Sequence, residues 1–419
     1  MKSARVLLAA GVTLAAAVTV SLTHHAESGV ASPNSFDSST VSALTCPGVS
    51  RHAGDDATTL RLVNLAQGPR TVVSSLDGTS AASTRHLGAI RSVTSSLPAT
   101  ATMTTYRADV YGGGVSGGLD GGGQIAPCSH TGETEWWVAG VSTLAHQSAT
   151  LILANPAATP AVASVTAFTS SGVLTPSADQ GVTIAGGSSV TMNISSQIIG
   201  EANVALDVHV ASGRIVARLI EGTPGGSLRG ILLGGALHRD LAWGNVPTSG
   251  IATINGFNPS DQVVSVSATV LMAGYQIAPV TMTAYPHSTF SLRVIPSTGV
   301  PSVGAAAIEL RATRPIAATL SDGVSTTSLV ASSGTPLSSG THLIVNAASH
   351  ASGVVQIVGG GSVTSHEYDG AQLLVSGPMS RYRVRTMTGT GFATVASPQP
   401  IAVFYATGAA TAEVALDGR

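Results

Sequence analysis

Lysine is nearly absent: of nineteen lysines and arginines only Lys2 is a lysine, at the start of the chain. No basic stretch exists that could neutralise a row of phosphates, which argues against nucleic acid as a partner. A Walker A phosphate loop, which needs a lysine after its glycines, is missing too. Charged residues make up only 10% and aromatics 4% of the 419 residues. The usual charged share is about a quarter. Disorder pairs low hydrophobicity with high charge, and here neither holds, because 43% of the chain is hydrophobic. Much of the polar remainder is Ser, Thr and Gly. These values describe a folded chain with a neutral, hydroxyl-rich surface, long enough for about two to four domains.

Long apolar runs are missing after the first thirty residues. Within them, Lys2 and Arg5 precede the apolar run Val6 to Leu22, and Ala26-Glu27-Ser28 places small residues for cleavage before Gly29. That pattern is a secretory signal peptide over residues 1–28, or a retained anchor, since the run nears the shortest length that spans a bilayer. The membrane is therefore a partner only through this segment, if it stays uncleaved. Residues 29–44 form a flexible leader. Only two cysteines occur, Cys46 and Cys128. In an exported chain an even count reads as a disulfide, with two buried thiols as the alternative.

No sustained amphipathic helix follows. Short Val/Ile/Thr-rich segments recur instead between Gly, Pro, Asn and Ser clusters: Val162 to Phe168, Val204 to Val210, Val263 to Val270 and Ala305 to Leu310. In the second, Val204, Leu206, Val208 and Val210 share one face and Ala205, Asp207 and His209 the other, the period of a strand. An apolar pair ending in Asn recurs at Asn64, Asn155, Asn258 and Asn346. A second mark follows about 55 to 60 residues later, at Arg214-Ile215, Arg314-Pro315-Ile316 and Gln399-Pro400-Ile401. The Asn residues read as turn formers, because Asn bonds its own backbone two residues on. The expected fold is all-β: tandem Ig-like β-sandwich units after an N-terminal signal peptide. The units span 45–130, 136–224, 238–324 and 338–415. The first is divergent and closed by Cys46–Cys128.

Cys46-Pro47 opens the first unit, and Gly117-Gly118-Leu119 through Ala126-Pro127-Cys128 closes it. Trp136-Trp137-Val138-Ala139-Gly140 and Leu151-Ile152-Leu153-Ala154-Asn155-Pro156 follow. This order resembles an actinobacterial family of secreted proteins known only as a domain of unknown function. The resemblance implies an exported, β-rich envelope protein and supplies no catalytic residues. The third unit departs from it, with Trp243-Gly244-Asn245 where the double Trp would stand, and the fourth has no Trp there.

The candidate chemistry is thin. Gly114-Val115-Ser116-Gly117-Gly118 fits G-x-S-x-G, but no helix pattern follows it, so the run Gly112 to Gly123 reads as a glycine-rich loop. One such run supplies too few oxygens for calcium. His366-Glu367-Tyr368-Asp369 reads as a polar hairpin, since neighbours on a strand face opposite ways. No metal site and no cofactor are expected. Glu133 and Glu135 beside Trp136 and Trp137 form the one adhesive-looking patch, in which two aromatic faces adjoin two carboxylates. It is a weak candidate for ligand binding, with envelope glycan or another envelope protein as the partner. The expected function is a non-enzymatic exported envelope protein acting as spacer, scaffold or binding module. The alternative is a carbohydrate-active or other hydrolase with its site between units.

Overall fold

The computed structural model describes residues 132–176, 179–223, 228–246, 251–272, 275–294, 306–322, 331–345 and 353–368, together with strand segments between 43 and 127 and between 372 and 413. The chain divides into Met1–Ser35, outside the described residues, and Phe36–Arg419. The signal segment therefore lies outside the described residues, as does most of the leader.

The described chain is nearly all strand, in four successive sets. The first holds β1 (Ala43–Pro47), β2 (Thr58–Asn64), β3 (Arg70–Leu76), β4 (Ser83–Leu87), β5 (Arg91–Leu97), β6 (Met103–Asp109), β7 (Val115–Gly121) and β8 (Gln124–Pro127). The second holds β9 (Glu135–Val141), β10 (Ser148–Ala154), β11 (Ala161–Thr169), β12 (Gly172–Leu174), β13 (Val182–Ile184), β14 (Ser189–Asn193), the single-turn helix α1 (Ile194–Gln197), β15 (Val204–Ser212), β16 (Val216–Gly222) and β17 (Leu228–Leu233). The third holds β18 (His238–Val246), β19 (Ala252–Asn258), β20 (Val264–Met272), β21 (Tyr275–Gln276), β22 (Val280–Ala284), β23 (Ser288–Val294), β24 (Ala306–Asp322) and β25 (Ala331–Ser333). After the short β26 (Thr335–Pro336), the fourth holds β27 (Ser338–Val345), β28 (Gly353–Gly359), β29 (Gly361–Tyr368), β30 (Gln372–Met379), β31 (Tyr382–Met387), β32 (Phe392–Thr407) and β33 (Ala410–Glu413).

One antiparallel pairing scheme recurs in all four sets. The first sheets run β1-β6-β3-β4, β9-β15-β11-β13, β18-β24-β20-β22 and β27-β32-β29-β30. The second sheets run β5-β2-β7-β8, β14-β10-β16-β17, β23-β19-β24-β25 and β31-β28-β32-β33. The sets are also stitched together by parallel pairing of their last strands, β17 with β25 and β33 with β8. In sets two and three the inward side chains of both sheets join in one core each. Strand β11 shows why: Ala161, Ala163, Val165, Ala167 and Thr169 alternate inward with less buried residues between them.

The second sequence mark is where the chain crosses from one sheet to the other. Residues 306–312 of β24 pair with β18 and β20, and residues 317–322 pair with β19 and β25. Pro315 sits between the halves, where its missing N–H takes nothing from either ladder. Strand β32 does the same around Pro398 and Pro400. In set two the crossing is a break between β15 and β16. The isoleucine of each mark plugs the core at the crossing: Ile215, Ile316 and Ile401 are 0%, 1% and 0% exposed.

The Asn mark keeps its place in sets one to three and fails in the fourth. Asn64 and Asn258 end β2 and β19, Asn155 directly follows β10, and Asn155 and Asn258 are fully buried. Asn346 instead follows β27, the first strand of its set, and lies outside the described residues. Gly359, paired with Ile401, takes the position of Asn258 in set four. It adopts φ +119°, and a Cβ there would lie 2.5 Å from the Pro400 carbonyl oxygen, so only glycine fits. The glycine-rich loop expected over Gly112 to Gly123 is also corrected. Val115–Gly121 forms β7, because it lies between β2 and β8 and its backbone is bonded on both sides. Pairing overrides the low strand propensity of glycine.

Candidate functional site

Strand β9 carries the residues singled out from sequence, and alternation separates them. Trp136 points into the core of set two, 6% exposed, and its Nε1 donates to the Ile215 carbonyl at 2.8 Å. It is a packing residue and offers no face to a ligand. Trp137 points outward, half-buried, and its Nε1 donates to Glu135 Oε1 at 2.8 Å. The expected pair of adjacent aromatic platforms is therefore not formed, because consecutive residues of a strand face opposite ways. Glu133 holds a backbone bridge to Ile215, and its carboxylate lies 3.7 Å from the Arg214 guanidinium. Among the described residues no group of His, Cys, Asp and Glu is placed to hold a metal ion. His366, Glu367 and Tyr368 lie in the β29–β30 hairpin, and Asp369 lies outside the described residues. Cys46 stands in β1. Cys128 lies outside the described residues, and so does the Cys46–Cys128 pairing.

The outward face of the first sheet of set two is not left to solvent. Trp137 stacks on Phe257 of β19 with ring centroids 5.6 Å apart, and Phe168 lies 4.4 Å from the same ring. Ala139, Ala205 and Ala317 complete this junction, and Thr319 Oγ1 donates to the Ala139 carbonyl. Gly140, at φ +81°, lets the strands meet, since a Cβ there would lie 2.9 Å from Thr319 Cβ. The outward face of the first sheet of set three is covered in the same way. Ala242, Leu271 and Ala307 pack against Val358, Ala402 and Phe404 of set four. Register makes Asp207 and Glu309 equivalent, each one strand across from a threonine, Thr166 and Thr269. Trp243 pairs with Ile308, and so holds the inward position that Val138 holds opposite Leu206. It replaces neither tryptophan of β9.

Beside the aromatic junction lies a small charged group. Asp207 stands opposite Trp137, and His209 opposite Glu135. Burial, helped by the Glu135 carboxylate and opposed by His209, raises Asp207 from its ordinary 3.8 to about 6. Sequence placed Asp207 and His209 on the outward face but did not connect them to Glu135, because strand pairing brings together residues far apart in the chain. Phe168 and Phe257 carried no signal at all.

Across the same seam runs a groove of about 340 Å³. Its walls come from Ser170 and Glu201–Asn203 of set two and from Thr289–Ser291 of set three. Asn203 Nδ2 ties the walls together through the Phe290 carbonyl at 2.8 Å. Ser170 Oγ donates to Glu201 Oε2 at 3.0 Å.

Residues 72–328 match the sequence profile of a family described as Family of unknown function (DUF5719). That is more than half of the chain. The protein belongs to this family. The DUF5719 match contains the charged group, the aromatic junction and the groove. No curated protein matches the chain.

Proposed function

We propose that this DUF5719 member is a non-enzymatic, exported cell-envelope protein. In this reading its four strand sets are tandem Ig-like β-sandwich units serving as a spacer, scaffold or binding module, with envelope glycan or other envelope proteins as partners. The observation that carries the reading is the use made of the conspicuous side chains. Trp136, Trp137, Asn155 and Asn258 serve packing, junctions and turns, as a structural array requires. The low charge and the Ser/Thr/Gly-rich composition suit a stable surface in an exposed compartment. Secretion by the N-terminal segment and a Cys46–Cys128 bond belong to the same proposal.

Cell fractionation tests it. The tagged full chain is expected in the envelope fraction, and the purified protein is expected to leave peptide, ester and glycoside panels intact. Recovery of the chain in the cytosol would sink the export reading. A second reading, a hydrolase with its site between units, is favoured by one observation. Beside a junction, burial and the neighbouring Glu135 carboxylate raise Asp207, and an upward-shifted carboxyl is what a general acid needs. Glycoside hydrolysis that is lost in both Glu135→Gln and Asp207→Asn would establish it.

A further inference from the structure

The groove at the seam of sets two and three has a definite chemistry. Among its lining residues the only ionisable side chain is Glu201. No lysine, arginine or histidine lines it, so nothing there would hold a phosphate, a uronate or another anion. What the walls present is hydrogen-bonding capacity: the hydroxyls of Ser170, Thr289 and Ser291 and the amide of Asn203. The one anionic acceptor among the lining residues is Glu201. Glu201 Oε2 already accepts from Ser170, and its carboxylate has further lone pairs to offer. Asn203 Oδ1 is closed off from solvent, so Asn203 braces the walls rather than meeting a ligand. Its orientation is fixed, because Nδ2 is committed to the Phe290 carbonyl.

An exposed aliphatic side chain adjoins the wall in the chain. Ile199, directly before Gly200 of the wall, is 82% exposed. A carboxylate acceptor and hydroxyls in the walls, an aliphatic side chain beside them and no positive charge match a molecule with many O–H donors, C–H faces and no anionic group. The groove volume falls within the range of small-ligand sites, about 300–1,000 Å³.

We propose that this groove binds a neutral oligosaccharide, with Glu201 accepting from its hydroxyls. The proposal rests on the binding-module reading and names its ligand class. The test is calorimetric titration of the full exported chain with a panel of neutral oligosaccharides, with trilysine as a cationic control. At least one saccharide is expected to saturate a single site per chain. Glu201→Gln should weaken it about tenfold, the effect of losing one charge-assisted hydrogen bond. Ala202→Trp, at an exposed wall position, should abolish binding while leaving the unfolding midpoint unchanged. Thr289→Arg, on the opposite wall, should do the same and guards against a folding defect in the first variant. Failure of the whole panel to bind overturns the proposal, and so does binding that survives both blocking variants. Binding of trilysine in place of saccharide would assign the groove to a cationic ligand and also overturn it. Envelope retention is scored separately. A chain that stays in the envelope but binds no saccharide loses the groove assignment and keeps the scaffold reading. A chain that binds saccharide but leaves the envelope fraction keeps the groove and loses the envelope reading.

Discussion

Phe257→Ala tests whether the strand sets are coupled by their junctions. The Phe257 ring is fully buried, yet it lies outside the core of its own set. Its neighbours are Trp137 and Phe168 of set two and the alanines around them. Truncating a buried phenylalanine costs about 3–5 kcal/mol, and the loss of two aromatic neighbours places this site in the upper part of that range. Because the ring serves the junction, the loss should fall on coupling between sets two and three rather than on either core. Urea unfolding of the full chain, followed by tryptophan fluorescence, reads this directly. Trp137 reports the junction, and Trp136 and Trp243 report the two cores. In Phe257→Ala the Trp137 signal, isolated by comparison with Trp137→Phe, should change about 1 M or more earlier in urea. The core signals should move less, so that one transition becomes two. Phe257→Leu, which keeps much of the volume, should recover most of the loss. The reasoning is refuted if Phe257→Ala unfolds as the parent does, or if all three signals shift together by the same amount.

Four further outcomes follow from the same contacts. Asn258→Ala removes an amide that donates to Gln262, Ala284 and Tyr285 carbonyls and accepts from the Ser260 backbone. It should cost about 2–4 kcal/mol in urea unfolding, since several buried groups lose their partner together; Asn155→Ala should match it, and an effect below 1 kcal/mol on this scale would refute the turn-pinning role. Asp207 has a folded value above its unfolded one, so the folded state holds the extra proton and stability falls as pH rises from about 4 to 6. Asp207→Asn should flatten that slope and stabilise at pH 7 by on the order of 1 kcal/mol after solvent screening; a thermal-shift series with an unchanged slope would contradict this. Arg311 bonds the buried Glu309 at 2.8 Å, so Arg311→Ala should cost about 1–3 kcal/mol and Glu309→Gln in the same background should restore part of it; additive losses in the double variant would argue against coupling. Non-reducing peptide mapping should recover Cys46 and Cys128 as one linked pair, whose chain-entropy contribution is at most roughly 4–5 kcal/mol, and two free thiols would end that proposal.

Strand periodicity was legible because it is local. Val162 to Phe168, Val204 to Val210, Val263 to Val270 and Ala305 to Leu310 fall on β11, β15, β20 and β24, the third starting one residue later at Val264 and the fourth at Ala306. Asn155 and Asn258 were read correctly as turn formers, since an Asx turn is made within a few residues. The mark at Ile215, Ile316 and Ile401 was visible as a repeat, but its meaning was not. Only pairing on both sides shows that the chain changes sheet there. The same limit explains Asn346, which matches in spacing while following β27, the first strand of its set. Glycine propensity misled at Val115–Gly121, where two neighbouring strands decide the conformation. The sequence by itself determined the all-β character, the period-two alternation of segments such as Val204 to Val210, and the larger repeat. Tertiary structure alone decided that Trp137 meets Phe257, that Asp207 joins Glu135, and that Glu201 and Asn203 share a groove with Thr289 and Ser291. These groups lie tens to more than a hundred residues apart, and the burial and partners that set their chemistry exist only after the sheets have paired.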